Sequence, residues 1–213
     1  MKKNFLLLTM LCICNMIHAE SRWQLKKEAE GVKVFTQCVE GSNVKAIKVE
    51  CTLHASLSQL TALLLDAPAH EHWVYSTKKS YLVKKLSPTH LIYYSEMSMP
   101  WPMSNRDVVI DLNITQAHDS KTLTVHCNAI DGMVPLDKNM VRVTHSNVTW
   151  TVTPVGHDQL NIEYVAQADP GGSVPSWITN MFLTKGPMES FRSLRNSVKD
   201  DAYKTASYEF VNN

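Results

Sequence analysis

The spacing of apolar residues changes period at Asp169, and that change constrains the fold more than any other feature. Upstream the chain is a series of short β-rich runs. Downstream, Val174, Trp177, Ile178, Met181 and Phe182 recur at helical spacing, which Phe191, Leu194 and Val198 resume. Val32 to Val39 and Val44 to Ala55 read as the first two strands, with Ile47, Val49, Cys51 and Leu53 alternating against polar neighbours. Six more follow: Tyr81 to Leu86, Thr89 to Met99, Asn105 to His118, Thr122 to Ile130, Met140 to Pro154 and Gln159 to Ala168. The punctuation between them (Ser87-Pro88, Asp119-Ser120, Asp131-Gly132, Gly156-His157-Asp158) is hairpin chemistry, which predicts mostly antiparallel neighbours.

Two strands show their buried face directly. Val108, Ile110, Leu112 and Ile114 share one side of theirs, and Leu160, Ile162, Tyr164, Ala166 and Ala168 share one side of theirs. In the long run from Met140 the apolar parity switches between Val141-Val143 and Val148-Trp150-Val152, which predicts a bulge near Ser146. Ser56 opens a helical run through Leu57, Leu60, Leu64 and Trp73, ended by Pro68 or shortly after it, and Trp23 to Ala29 reads as a short amphipathic helix. At the far end, Ser173 is the expected N-cap with Pro175 in the first turn, and Gly186-Pro187 is expected to kink or break the helix. The class is α+β: about eight strands in a curved antiparallel sheet that buries one face against a long C-terminal helix. Such a sheet can enclose an interior space for a ligand.

Residues 1–19 join Lys2-Lys3 to an apolar run from Phe5 to Cys14 and end on Ala19, a secretory signal pattern that predicts export, periplasmic or extracellular, and a mature start near Glu20. Removing Lys2 and Lys3 takes the 21 basic side chains to 19, against 20 acidic ones. That balance argues against a nucleic-acid partner. Residues 20–200 are expected as one domain and 201–213 as a polar, frayed tail. Three cysteines remain beyond the leader, Cys38, Cys51 and Cys127. They read as three buried small residues or, alternatively, as one disulfide plus a free thiol. Around the turn at Gly41 a tight hairpin sets Cys38 opposite Lys45 and Cys51 opposite Val32, too far apart to bridge.

Two segments carry a resemblance. Pro100-Trp101-Pro102-Met103-Ser104-Asn105-Arg106-Asp107-Val108-Val109 and Asp169-Pro170-Gly171-Gly172-Ser173-Val174-Pro175-Ser176-Trp177 are similar to segments of the StAR-related lipid-transfer (START) domains, which have a helix-grip fold. The first is most similar to the phosphatidylcholine-transfer branch, and the likeness spans roughly residues 22–198. It implies non-covalent binding of one lipid, phospholipid or sterol-like, in an internal tunnel, with the C-terminal helix as part of a lid, brief contact with a membrane surface, a monomer, no cofactor and no catalytic residue. A chain of roughly 16 carbons gains about 12 kcal/mol on leaving water. A bilayer offers the same gain, so exchange is nearly balanced and the barrier lies in exposing the chain.

The lipid-binding candidates are Arg106, Ile110, Leu112, Trp150, Tyr164, Trp177, Met181 and Phe191. Parity places Arg106 on the Val108-Ile110-Leu112 side, facing inward, with Asp107 outward. A buried guanidinium needs a partner, either a lipid phosphate or an internal carboxylate, Glu96 or Asp111. The helix stripe of Trp177, Met181 and Phe191 reads as ordinary core or as cavity lining, and the resemblance favours lining. Tyr93, Tyr94, Trp150 and Tyr164 are available to cage a quaternary ammonium, or are simply interior aromatics. Gly186-Pro187 is either a lid hinge or a packing kink.

Other signals point to plain structure. His70-Glu71-His72 lacks metal-site spacing and reads as a solvated helix end. Lys78-Lys79, Lys84-Lys85 and Lys33 form a membrane-facing basic patch or blunt a sheet edge. With no G-x-S-x-G elbow, the enzymatic alternative is a cyclase- or hydrolase-type helix-grip protein, which would show inward His, Asp or Tyr.

Overall fold

The computed structural model describes residues 23–41, 44–156, 158–172 and 174–213. The expected leader, residues 1–19, and the expected cap Ser173 lie outside the described residues.

Ten strands form one sheet: β1 (Gln24–Ala29), β2 (Val32–Gln37), β3 (Ala46–Leu53), β4 (Thr77–Ser87), β5 (His90–Met97), β6 (Arg106–Gln116), β7 (Leu123–Ala129), β8 (Val141–Arg142), β9 (His145–Pro154) and β10 (Leu160–Asp169). Their order is β1-β2-β3-β10-β9-β7-β6-β5-β4, all antiparallel, with β8 alone running parallel beside β6. Between β3 and β4 the chain crosses to the far edge through α1 (Leu57–Leu65), a 3₁₀ turn (Ala67–Ala69) and α2 (His70–Trp73). After β10 come α3 (Ser176–Asn180), a π-helical turn (Met181–Lys185), α4 (Gly186–Ser197) and α5 (Asp201–Lys204).

The expected antiparallel frame is present, and α1 opens at Ser56. That serine accepts from the Gln59 N–H while the Gln59 side chain accepts from the Ser56 N–H, a reciprocal cap. Lys78, Lys79, Lys84 and Lys85 lie exposed on β4, the edge of the sheet.

Three elements differ from expectation for local reasons. Residues 24–29 form a strand, because Glu30 (φ 53°) and Gly31 (φ 69°) make a two-residue turn that folds the segment onto β2. A helix of that length has too few internal bonds to persist alone. The parity switch in residues 140–154 reflects a change of partner and not a bulge. β7 ends at Ala129, opposite Ile110, so the start of β6 lacks a neighbour on that side until Val141 and Val143 donate to the Asn105 and Asp107 carbonyls. From His145 the chain pairs with β10, and from Asn147 with β7 as well.

The C-terminal helix begins at Ser176 with Pro175 at the cap position, one step before the first turn where proline was expected. Gly186-Pro187 does not break it. Pro187 has no N–H and its ring crowds the carbonyl four residues back, and the backbone answers with the π turn, in which Gly186 N–H donates to Met181 O.

The main core fills the concave face: Leu53, Leu60 and Leu63 meet Leu112, Ile114, Val125 and Val152 from the sheet and Met188, Phe191 and Leu194 from α4. A small second cluster, Ile92, Tyr94 and Val109 with Tyr81, Ile130 and Val134 against it, covers the opposite face. Asp107 points outward to this opposite face, as parity required, but is buried there, and Arg142 grips it through Nε–Oδ1 at 2.9 Å and Nη2–Oδ2 at 2.8 Å. The last residues are not frayed. Val211 is buried, Tyr203 donates to Asp66 at 2.8 Å, and Asn213 bonds the Ser58 backbone N–H and hydroxyl. The tail docks because Tyr203, Tyr208, Phe210 and Val211 add apolar surface to α1. Cys51 pairs with Val32 as expected, and all three cysteines are free thiols, but Cys38 is exposed because it lies past the end of β2. No helix among the described residues is long and apolar enough to cross a membrane.

Candidate functional site

A cavity of about 240 Å³ lies between the concave face of the sheet and the C-terminal helix. The sheet contributes Ile47, Tyr93, Ile110, Leu112, Val125, Cys127, Val148, Trp150 and Tyr164 to its wall. The stretch around α2 adds Leu64 and the residues from His70 and Trp73 to Tyr75; the helix adds Phe182, Gly186, Pro187, Ser190 and Phe191. Sheet register explains the clustering. Tyr164 stands opposite Trp150, Trp150 opposite Val125, and Cys127 lies between Leu112 and Val148, so alternate residues of neighbouring strands stack on one face.

Ile110, Leu112, Trp150, Tyr164 and Phe191 thus come together on this cavity, and Arg106, Trp177 and Met181 do not. Trp177 is 54% exposed. The inward stripe of the helix runs through Ile178 and Phe182 and, after the π turn, through Gly186, Pro187, Ser190 and Phe191. Trp177 and Met181 sit one residue out of phase with it, about 100° around the helix.

Arg106 is buried, as parity required, yet its guanidinium meets neither Glu96, Asp111 nor the cavity. It donates to three backbone carbonyls: Ser104 at 2.6 Å from Nη1, Pro170 at 3.3 Å from Nε and Gly171 at 3.3 Å from Nη2. It pins the loop before β6 to the turn after β10. That turn is tight: Gly171 has φ 69°, and a Cβ there would stand 3.1 Å from Val141 Cγ1. Glu96 instead accepts from Lys78 and Asn105, and Asp111 pairs with His90.

His70 is the residue that sequence reasoning misplaced. It is buried on the cavity wall, with Nε2 donating to Leu64 O at 3.1 Å and its ring edge-on to Tyr93 at 4.9 Å. Burial pulls its pKa down to about 4, against smaller upward pulls from the Leu64 carbonyl and Asp66, so the imidazole is neutral. The readable signal was its i, i+3 spacing to Trp73, whose ring it also meets edge-on. Burial likewise drives the Tyr93 and Tyr164 phenols well above their ordinary range and pushes the Cys127 thiol up to about 12.

Trp150, Tyr164 and Phe191 pack on one another at centroid distances of 4.9, 5.3 and 5.4 Å. Rings in mutual contact enclose no space for an ammonium group between them. Of the two other cage candidates, Tyr94 stacks on Tyr81 in the opposite-face cluster, and Tyr93 stays on the cavity wall, edge-on to His70. No Asp, Glu, Lys or Arg lines the cavity, and no group of three or more metal-ligating side chains occurs among the described residues.

Residues 13–202 match the START domain family model. An uncharacterised protein of Pseudomonas aeruginosa is 30% identical over 177 residues, covering 83% of this chain and 87% of its own length. Mouse phosphatidylcholine transfer protein is 26% identical over 171 residues, covering 77% of this chain and 78% of its own. Among solved structures, a STAR-related lipid transfer protein fragment from Xanthomonas axonopodis superposes with a TM-score of 0.76 at 34% identity, covering 84% of this chain and 99% of that one.

Proposed function

From the premise that this chain belongs to the START domain family, we propose that it holds one lipid non-covalently in the cavity between sheet and helix, as a carrier or sensor. The observation that carries this reading is the cavity wall itself: a mostly apolar lining without a charged side chain, built on the fold of named lipid-transfer proteins. Apolar lining gives a hydrocarbon chain the same environment as a bilayer interior, so loading and unloading need no large net driving force.

Size adds a mechanical requirement. At about 240 Å³ the cavity exceeds one that takes benzene, about 150 Å³. It falls just short of the common ligand-site range of about 300–1,000 Å³. A whole lipid therefore enters by parting the wall. On one side the wall is closed by Tyr75 against Phe182, ring centroids 6.1 Å apart, and against Gly186 at the end of the π turn, which makes this the place to look for that opening. Export, existence as a monomer and brief contact with a membrane surface belong to the same reading.

The enzymatic alternative wants reactive ionisable groups in the cavity. Its wall offers a neutral imidazole and phenols held protonated, which suit binding better than proton transfer near neutral pH. Native mass spectrometry of the purified protein, followed by lipid extraction, tests the proposal. A stoichiometric lipid mass supports it; a protein that stays empty after incubation with lipid vesicles sinks it.

A further inference from the structure

The wall of the cavity is not uniformly inert: His70 and Ser190 are already hydrogen-bonded, and two tyrosines stand beside them. Tyr93 and Tyr164 both line the cavity, and neither hydroxyl makes a hydrogen bond among the described residues. The Cys127 thiol lies near both phenols. In the same wall the Trp73 indole N–H is buried without an acceptor. Interior polar groups are nearly always satisfied, so two open phenols on one cavity are groups awaiting a partner. A phenol donates one hydrogen bond and accepts others, which suits an uncharged oxygen.

The same wall is poorly made for a charged head. A phosphate drawn inside would lose its hydration and meet no cation, because Arg106 is committed to the Ser104, Pro170 and Gly171 carbonyls and Arg142 to Asp107 on the opposite face. A choline head would find Trp150 and Tyr164 already packed on each other and on Phe191, with Tyr94 on the opposite face, which leaves Tyr93 alone of the four candidate rings.

Building on the lipid-binding reading, we propose that the ligand is an uncharged lipid whose hydroxyl or carbonyl oxygen is anchored inside the cavity by the hydroxyls of Tyr93 and Tyr164. These two residues then select the lipid class, while the apolar wall holds its chain.

The test uses the full mature protein incubated with dioleoylphosphatidylcholine vesicles doped with equal parts of 1-oleoylglycerol and oleoyl lysophosphatidylcholine. The dopants share a chain and differ in the head. After re-isolation, native mass spectrometry should find 1-oleoylglycerol in preference to both phosphocholine lipids. Tyr93→Phe and Tyr164→Phe keep both rings and the packing; each should lower that preference about fivefold, the size of one ordinary hydrogen bond. Tyr94→Phe, on the opposite face, should leave it unchanged. Recovery of either phosphocholine lipid at equal or greater occupancy overturns the proposal, as does an undiminished preference in the double Tyr→Phe variant with an unchanged melting temperature. Recovery of no lipid at all overturns the carrier reading on which it rests.

Discussion

Replacing Arg106 by Met separates a structural guanidinium from a ligand-binding one. The side chain is 3% exposed and faces no carboxylate within bonding distance, so its charge is held only by carbonyl dipoles. Burial accordingly pulls its pKa down from the ordinary arginine value. The bond to Ser104 O, at 2.6 Å, is the strong one; a charge-assisted bond contributes about 1.5–3 kcal/mol. The two at 3.3 Å add less. Methionine removes all three and leaves the carbonyls unpaired, but it also removes the desolvation cost of the charge, and the Pro170-Gly171 turn can regain water by opening. These opposing terms leave a net loss of about 2–3 kcal/mol. For a domain of this size that lowers the melting temperature by about 5–10 °C. Differential scanning calorimetry reads the stability, and lipid occupancy by native mass spectrometry reads the site. Arg106→Lys should recover little, since one ammonium cannot span three carbonyls on separate loops. A melting temperature within about 2 °C of wild type, combined with lost lipid capture, would refute the reasoning and return Arg106 to the ligand.

Asp107→Asn strands Arg142 in the opposite-face cluster, where the two side chains are 3% and 6% exposed; breaking one side of such a pair should cost about 3–5 kcal/mol in urea titration and leave lipid occupancy of the folded protein unchanged. The pH dependence of stability should report His70. Unfolded, it takes a proton below 6.5; folded, it resists protonation until about 4, so protons favour the unfolded state and stability falls as pH drops through that window. The full span corresponds to about 3 kcal/mol, and His70→Gln should flatten the slope; an unchanged slope would contradict the burial of the ring. Gly186→Leu pushes bulk into the cavity past Tyr75, whose Cδ1 lies 3.1 Å from where a Cβ would stand, so lipid capture should fall, together with a stability loss of about 1–3 kcal/mol from overpacking.

Local chemistry made much of the fold legible in advance. Period-2 alternation on β6 and β10, the Ser56 cap and the helical spacing after Asp169 each follow from interactions within a few residues, so the antiparallel sheet, the crossing helix and the gripped C-terminal helix could be read from the chain alone. The same parity brought Ile110, Leu112, Trp150 and Tyr164 to one face. What depended on partners far along the chain could not be read this way. Burial alone does not say what a side chain meets, and only the approach of the Pro170-Gly171 turn decided that Arg106 binds backbone. His70 looked solvated until helix and sheet closed over it, and Trp177 lost its place at the wall to a phase difference of one residue. The chain's tail docks because its aromatics find α1, a meeting that no local pattern encodes. Periodicity assigns a residue to a face; a cavity exists where side chains from opposite faces fail to touch, and that is a property of the assembled volume.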